Sequence, residues 1–239
     1  MIDLHYHLAL NPDPLVLEAL ASKELFTLAV TESPASFMKL WNKYRDIPRL
    51  RIGLGLHPLL ASKATNLDLE DFKSYVKLTN YVGEVGLDFS IKGFDEKEKQ
   101  IEIFRRIAII LSGKRKLVSV HSRKAGGETL EVLQENNCNM VVFHWYTGTL
   151  KILQQILDAG YYFSINSAMT RNAKGQRIIS RIPRDRVLTE TDGPFVKVNG
   201  HSATPIDVLI VEKYLSNLWG ISREAVGLVV KENLLRLIG

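Results

Sequence analysis

Two of the six histidines in this 239-residue chain stand at positions 5 and 7, within MIDLHYHL. In an extended strand, residues two apart point to the same face. A strand here therefore aims the imidazoles of His5 and His7 together, with Asp3 on the same side. Neighbouring imidazoles can share a metal ion, and further donors are available to join them. The other histidines are His57, His121, His144 and His201, and two acids, Glu84 in YVGEVGLDF and Asp192 in LTETDGPF, sit in runs otherwise rich in apolar or small residues. Nitrogen and oxygen donors without a thiolate suit Zn, Mn or Fe, and Mg less readily. Four imidazoles and two carboxylates exceed what one tetrahedral ion needs. Two ions roughly 3.5–4 Å apart, bridged by one carboxylate, would use the whole set.

Positioning such donors requires elements that converge. Strand-like runs lie at 1–7, 25–31, 51–57, 81–87, 116–122, 140–145, 161–167 and 186–192. Helix-like segments with apolar residues three and four apart lie at 13–22, 34–44, 69–78, 96–112, 127–136, 149–159 and 173–182, with two more near 205–219 and 222–236. Ser33 and Thr149 suit helix starts, Pro34 a first helical position, and Gly160 and Gly220 helix ends. Alternating strand and helix calls for a parallel sheet. Eight units in a chain of this size predict an α/β fold, a (β/α)8 TIM barrel forming a single domain over 1–239. An open doubly wound sheet is the alternative, though no G-x-G-x-x-G turn follows the first strand. On the barrel, His5 and His7 end strand 1, His57 strand 3, His121 strand 5 and His144 strand 6, leaving only His201 in a loop. Glu84 lies in strand 4 and Asp192 ends strand 8. Active sites in this architecture occupy that C-terminal face. Carboxylates buried there cost several kcal/mol unless compensated, and cations compensate them directly.

Hydrophobic residues make up 46% of the chain and charged residues 24%, as in an ordinary globular protein with a sizeable core. No apolar run is long enough to span a membrane. The first residues lack the basic and apolar regions of a secretory signal, and the single cysteine, Cys138, suits a reducing compartment, so the expected location is cytoplasmic. A net charge of +5 favours an anionic partner. The excess concentrates at 113–116, 121–124 and 170–186.

The HYH opening, GLHP at 55–58, GEVGLDF at 83–89, VHSRKA at 120–125, HWYTG at 144–148 and ETDGPF at 190–195 resemble, in order and spacing, the TatD-type metal-dependent deoxyribonucleases. The resemblance runs to the closing ENLLRLIG. It implies a TIM-barrel hydrolase with two divalent ions (Mg, Mn or Zn) that cuts DNA phosphodiester bonds, trimming single strands or ends from the 3′ side. By matched position, His5, His7 and Asp192 would hold one ion and His121 and His144 the other, with Glu84 bridging. Asp192 would accept the proton of the attacking water. His57 and Arg123 are assigned to the substrate phosphate, Arg123 through forked hydrogen bonds. Lys124, Arg171, Lys174 and Arg177 add positive charge on nearby loops, and Tyr146 and Trp145 could stack a base, with packing the expected role for Trp145. The loops depart from the family text: LALNPDP follows HYH, Lys124 replaces an acid, and SINSAMTRNAKGQR and VNGHSATP stand where relatives differ. Shortened relatives in Qat-type anti-phage systems share this character, which implies operon-encoded protein partners. Two other readings stand beside nuclease. One is a small-molecule amidohydrolase or phosphoesterase, many of which carry a modified lysine where this chain has Glu84; the other is a binding subunit of an assembly.

Overall fold

Eight parallel strands form in the predicted order: β1 (Ile2–Tyr6), β2 (Phe26–Ala29), β3 (Leu50–Ile52), β4 (Tyr81–Asp88), β5 (Leu117–Arg123), β6 (Val141–His144), β7 (Tyr162–Ile165) and β8 (Val187–Thr189). The computed structural model describes residues 1–11, 14–21, 24–91 and 93–239. Strands β1–β3 pair in sequence, as do β4–β8. A parallel bridge between Leu54 and Val82 joins the two groups, with Leu56 N–H donating to the Glu84 carbonyl at 3.0 Å. The other seam closes β8 on β1. Asp192 N–H donates to the His5 carbonyl at 2.8 Å and His7 N–H to the Gly193 carbonyl at 2.9 Å. Asp3, expected beside the histidines, instead belongs to this seam. Its carboxylate accepts the backbone N–H of Thr191 at 2.9 Å and the Thr191 hydroxyl. Burial pushes the Asp3 carboxyl well above its ordinary range, against these hydrogen bonds. The ring is a closed (β/α)8 TIM barrel rather than an open sheet.

Every residue of β1 is buried, because one side packs on helices and the other fills the barrel. Leu4, Tyr6, Val85, Val120, Phe143 and Phe163 belong to one continuous core, each large side chain stabilising the fold by about 1.5–3 kcal/mol on burial. The surrounding helices are α1 (Pro14–Leu20), α2 (Pro34–Tyr44), α3 (Asn66–Tyr75), α4 (Phe94–Leu111), α5 (Gly126–Glu135), α6 (Leu150–Asp158), α7 (Ser167–Thr170), α8 (Ala173–Ile179), α9 (Val208–Trp219) and α10 (Arg223–Ile238). The end residues 13 and 22 of the first expected helix lie outside the described residues. Ser33 caps α2 by accepting Ser36 N–H, with Pro34 first in the helix, and Thr149 caps α6 by accepting Ile152 N–H. Gly220 ends α9 in the left-handed conformation that Cβ-bearing residues avoid.

The connection after β8 differs from the expected loop. A two-stranded hairpin, β9 (Lys197–Val198) with β10 (His201–Ser202), turns at Asn199 and Gly200, both with positive φ. Asn-Gly is the preferred pair for that turn. His201 is exposed on β10, away from the other histidines' buried cluster. Under the hairpin, Val196, Val198 and Ala203 pack against Trp145 and Ala168.

The basic run 113–116 sits at the opposite end of the barrel. Arg115 donates to the carbonyls of Ile238 and Gly239, and Lys116 to that of Thr79, so these charges fasten chain ends to the strand entries. Cys138 is buried, with its thiol pushed up to about 11 by burial. Among the described residues, no helix is long and apolar enough to cross a membrane.

Candidate metal centre

Strands β1, β4, β5 and β6, with the turn after β8, bring the donors together around Glu84. Its Oε1 faces His121 Nδ1 and His144 Nε2, the latter at 2.8 Å. Its Oε2 lies 3.4 Å from His7 Nε2 and 3.5 Å from the Nε2 atoms of His5 and His57. Asp192 Oδ1 is 3.4 Å from His7 Nε2 and 3.8 Å from His5 Nε2. The ring nitrogens themselves crowd: His5 Nε2 to His7 Nε2 is 3.2 Å, and His121 Nδ1 to His144 Nε2 is 3.3 Å. All six residues expected to hold metal are thus gathered in one place. Gly86 permits the approach of β4 to β5, since a Cβ there would lie 2.1 Å from the His121 carbonyl oxygen.

Outer partners decide which nitrogen each ring presents. His7 Nδ1 pairs with Glu32 at 2.8 Å, His5 Nδ1 with the Ser119 hydroxyl at 2.8 Å, and His121 Nε2 with Asp88 at 2.9 Å. A carboxylate behind the outer nitrogen accepts its N–H and so leaves the lone pair on the nitrogen that faces inward, the arrangement a metal-binding histidine requires. His57 is reversed. Its Nδ1 accepts the backbone N–H of Leu59 at 3.2 Å, so Nε2 is the nitrogen that carries a proton towards Glu84. Although its nitrogen falls within ligand reach of Glu84 and His121, His57 faces the centre as a hydrogen-bond donor.

The charges ask for a cation. Asp192 Oδ1 and His144 Nδ1 are buried without a hydrogen-bond partner among the described residues. Burial alone would neutralise Glu84, but the charges of His144, His121, His57 and His5 hold its carboxyl well below the ordinary range. Burial opposes protonation of His7, yet the facing carboxylates of Asp192 and Glu32 raise it to about 10. His144 and His121 are also raised against burial, chiefly by Glu84, while burial and the His144 charge lower His5. Protons on these rings balance the carboxylates, and divalent ions would take the place of those protons. The donor set fits divalent metals.

Above this floor opens a cavity of about 540 Å³, whose rim includes Leu59, Arg123, Trp145, Thr147 and Phe195. Among the described residues, the Arg123 guanidinium has no ion pair, and it is the basic side chain that lines the cavity. Arg171 is spent on the Lys197 carbonyl at 2.7 Å, and Lys174 and Arg177 are exposed on α8 outside the lining. The two aromatics after His144 divide unexpectedly. Tyr146 is core, 1% exposed, its hydroxyl donating to the Thr149 carbonyl, so it stacks no base; Trp145 is the one at the rim.

Ser119, behind His5, and four other contributors lay outside the sequence reading. Asp88 had a signal, since it stands four residues from Glu84 in one strand and therefore on the same face. Glu190, two residues before Asp192, accepts from Trp145 N–H at 3.1 Å, Asn166 at 2.9 Å and the Ser164 hydroxyl, and lies 3.8 Å from His144 Nδ1. Glu32 follows β2 in an unremarkable AVTES run, and Phe195 appeared only as part of a motif.

Comparison with known proteins gives the family and the fold. Residues 2–239 match the profile of the family described as TatD related DNase. The chain is 27% identical to human "Deoxyribonuclease TATDN3" over 99% of this chain and 94% of that protein. It is 29% identical to the Escherichia coli "Uncharacterized metal-dependent hydrolase YcfH", over 99% of this chain and 95% of that one. In three dimensions it is similar to the crystal structure of the Escherichia coli TatD homolog YJJV, with a TM-score of 0.88 and 22% identity, covering 99% of this chain and 97% of that chain.

Proposed function

The chain belongs to the TatD related DNase family and is a metal-dependent hydrolase; from that premise we propose that it removes nucleotides from single-stranded DNA or DNA ends, working from the 3′ side with two divalent ions, Mg, Mn or Zn. His5, His7 and Asp192 would hold one ion, His121 and His144 the other, and Glu84 both. Bound there, such ions would polarise the phosphoryl oxygens and acidify water near neutral pH. The observation that carries this reading is Glu84, whose two oxygens face two separate groups of imidazoles at the base of one cavity.

The protein's own groups do the rest. The inward N–H of His57 and the unpaired guanidinium of Arg123 are placed to bind phosphoryl oxygens, Arg123 as a planar fork. Asp192, whose Oδ1 has no other partner, takes the proton of the attacking water. The water oxygen bonds to phosphorus, the bond from phosphorus to the sugar O3′ breaks, and the released alkoxide takes a proton from solvent. Glu32, Ser119 and Asp88 keep the rings in register so that no reorganisation is needed during the reaction. A carboxylate at position 84, where many small-molecule amidohydrolases of this barrel carry a modified lysine, favours the phosphodiester over the amide.

The test pairs elemental analysis of the purified protein with digestion of labelled single strands blocked at one end. The expected result is two equivalents of divalent metal per chain, and mononucleotides released from 5′-blocked but not 3′-blocked strands. Intact DNA with Mg, Mn and Zn alike would sink the proposal.

A further inference from the structure

The basic run at 170–186 takes no part in the metal centre, and hydrolysis alone does not explain its charge. Six lysines and arginines stand there against one acid, Asp185, which leaves +5, equal to the net charge of the whole chain. Three of the six are engaged locally. Arg171 donates to the Lys197 carbonyl, Arg184 donates to the Trp219 carbonyl and lies over its ring, and Arg186 pairs with Asp185 at 2.8 Å. Lys174, Arg177 and Arg181 are exposed, and among the described residues their side-chain charges meet no carboxylate. Like charges gathered in this way repel one another, and a bound polyanion removes that cost.

The three cations share one face of a rigid mount. Lys174 and Arg177 are three residues apart on α8, and Arg181 follows in the next turn, so the row advances about 4.5 Å and then about 6 Å along the axis. Asn172 caps α8 by accepting Gly175 N–H at 2.8 Å, and Gln176 donates to the Thr170 carbonyl at 2.8 Å. Gly175 lets α8 sit against α7, since a Cβ there would meet the Met169 carbonyl oxygen at 2.2 Å. Ile178 and Ile179 are buried beneath the row.

The row is continuous with the mouth of the cavity. Phe195 lines that mouth, Lys197 is exposed two residues further on, and its carbonyl receives Arg171 at 2.7 Å, three residues before Lys174. Positive charge therefore leads from the cavity over the hairpin and down the outside of the barrel. Between the cations the exposed residues are Ala173, Gln176 and Ser180, and among the described residues of 170–186 no large apolar side chain is exposed. A protein interface needs an apolar centre, and a membrane-bound face needs apolar side chains to insert. A nucleic-acid backbone needs only spaced cations.

We propose that Lys174, Arg177 and Arg181 form a track for the backbone of a single strand whose end occupies the cavity, so that the protein holds long strands more tightly than short ones. The inference rests on the nuclease reading above and adds to it a binding surface outside the cavity. Its contacts are to phosphates, so strand length and salt govern them and base sequence does not.

The test compares wild type with the triple variant Lys174→Ala, Arg177→Ala, Arg181→Ala. Fluorescence anisotropy of chelator-treated protein with a labelled strand of about twenty thymidines reads binding without cleavage. The variant is expected to bind about tenfold more weakly at low salt, with the slope of log Kd against log salt flatter by about 2, since each phosphate contact on a single strand contributes about 0.7. With metal restored, kcat/KM on the long strand is expected to fall through KM. On a thymidine trimer, which has little strand to extend beyond the cavity, it is expected to stay unchanged. Thermal melting reports folding. Equal binding of the long strand by a folded variant overturns the track and leaves the nuclease reading standing. Wild-type protein that cuts neither strand overturns the nuclease reading, and the anisotropy comparison then decides the track by itself.

Discussion

At the floor of the cavity, Glu84, His7, Asp192 and His144 are each 5% exposed or less, while at its rim Phe195 is 58% exposed and Arg123 has no ion pair among the described residues. Floor residues come from strand ends and the turn that seals the barrel, and the imidazoles there are held from behind by Glu32, Ser119 and Asp88. Of the rim residues, Arg123 ends β5, while Trp145 and Phe195 lie in the segments that follow β6 and β8. The contrast separates two tasks. Strands hold donors to fractions of an ångström, as a metal demands, and loops carry the groups that choose what arrives. Changes at the floor should remove chemistry, and changes at the rim should retune binding.

The most severe way to break that contrast is Glu84→Gln, which keeps volume but removes the charge shared by both imidazole groups. Metal content should collapse, and hydrolysis should fall by more than about a thousandfold, measured by elemental analysis and turnover on the same sample. Full metal occupancy in this variant would show that Glu84 is not the hub of the floor. Next come the outer carboxylates. Asp88→Ala or Glu32→Ala should weaken metal binding about 10- to 100-fold without removing a ligand, as titration against a competing chelator would reveal. A smaller change is expected from Arg123→Ala at the rim. Here KM for single-stranded DNA should rise about tenfold with kcat nearly kept, and the slope of log KM against log salt should flatten by about 0.7. Should kcat fall instead, Arg123 belongs with the floor.

The mildest effect concerns pH. His7 is raised from 6.5 to about 10 in the metal-free protein, the facing carboxylates of Asp192 and Glu32 overcoming burial. The unfolded chain binds that proton less tightly, so the stabilisation is complete below pH 6.5 and is lost as pH rises towards 10. Glu84 acts in the opposite sense, its depressed carboxyl stabilising the fold above its ordinary 4.5 and failing as acid is added. The melting temperature of chelator-treated protein should therefore decline by a few degrees between pH 7 and 10. Adding metal should blunt the decline, because an ion takes the place of the proton. Calorimetric metal titrations in two buffers of different ionisation enthalpy should show protons released.

What was legible in the sequence follows the same division. Strand alternation placed His5 and His7 on one face, and their inward nitrogens lie 3.2 Å apart. The α2 boundaries were readable from Ser33 and Pro34, because capping is local chemistry. The ring of donors needed only the repeat of strands and the rule that barrel sites lie at one face. Asp3 escaped because alternation gives a side and not a partner; the partner, Thr191, comes from the far end of the chain. Asn199-Gly200 announced a hairpin, but its strands are only two residues long and show no period. Packing was expected of Trp145, yet Tyr146 is the core residue and Trp145 lines the cavity, because positive φ at Trp145 breaks the alternation that β6 would have imposed. The pairing of Glu32 with His7 depends on which strands end up adjacent, which no local pattern encodes.

The seam where Thr191 meets Asp3 joins residues 188 positions apart. It also sets the order in which the protein becomes dangerous. A ribosome that has released the first strand, with His5 and His7 already made, still has most of the polypeptide to synthesise before Asp192 emerges. Until then the cylinder has an open side and one of its carboxylate arms is missing. An unfinished molecule is thus disarmed by its own connectivity, and the cutting centre assembles only when the beginning of the chain is met by its last quarter.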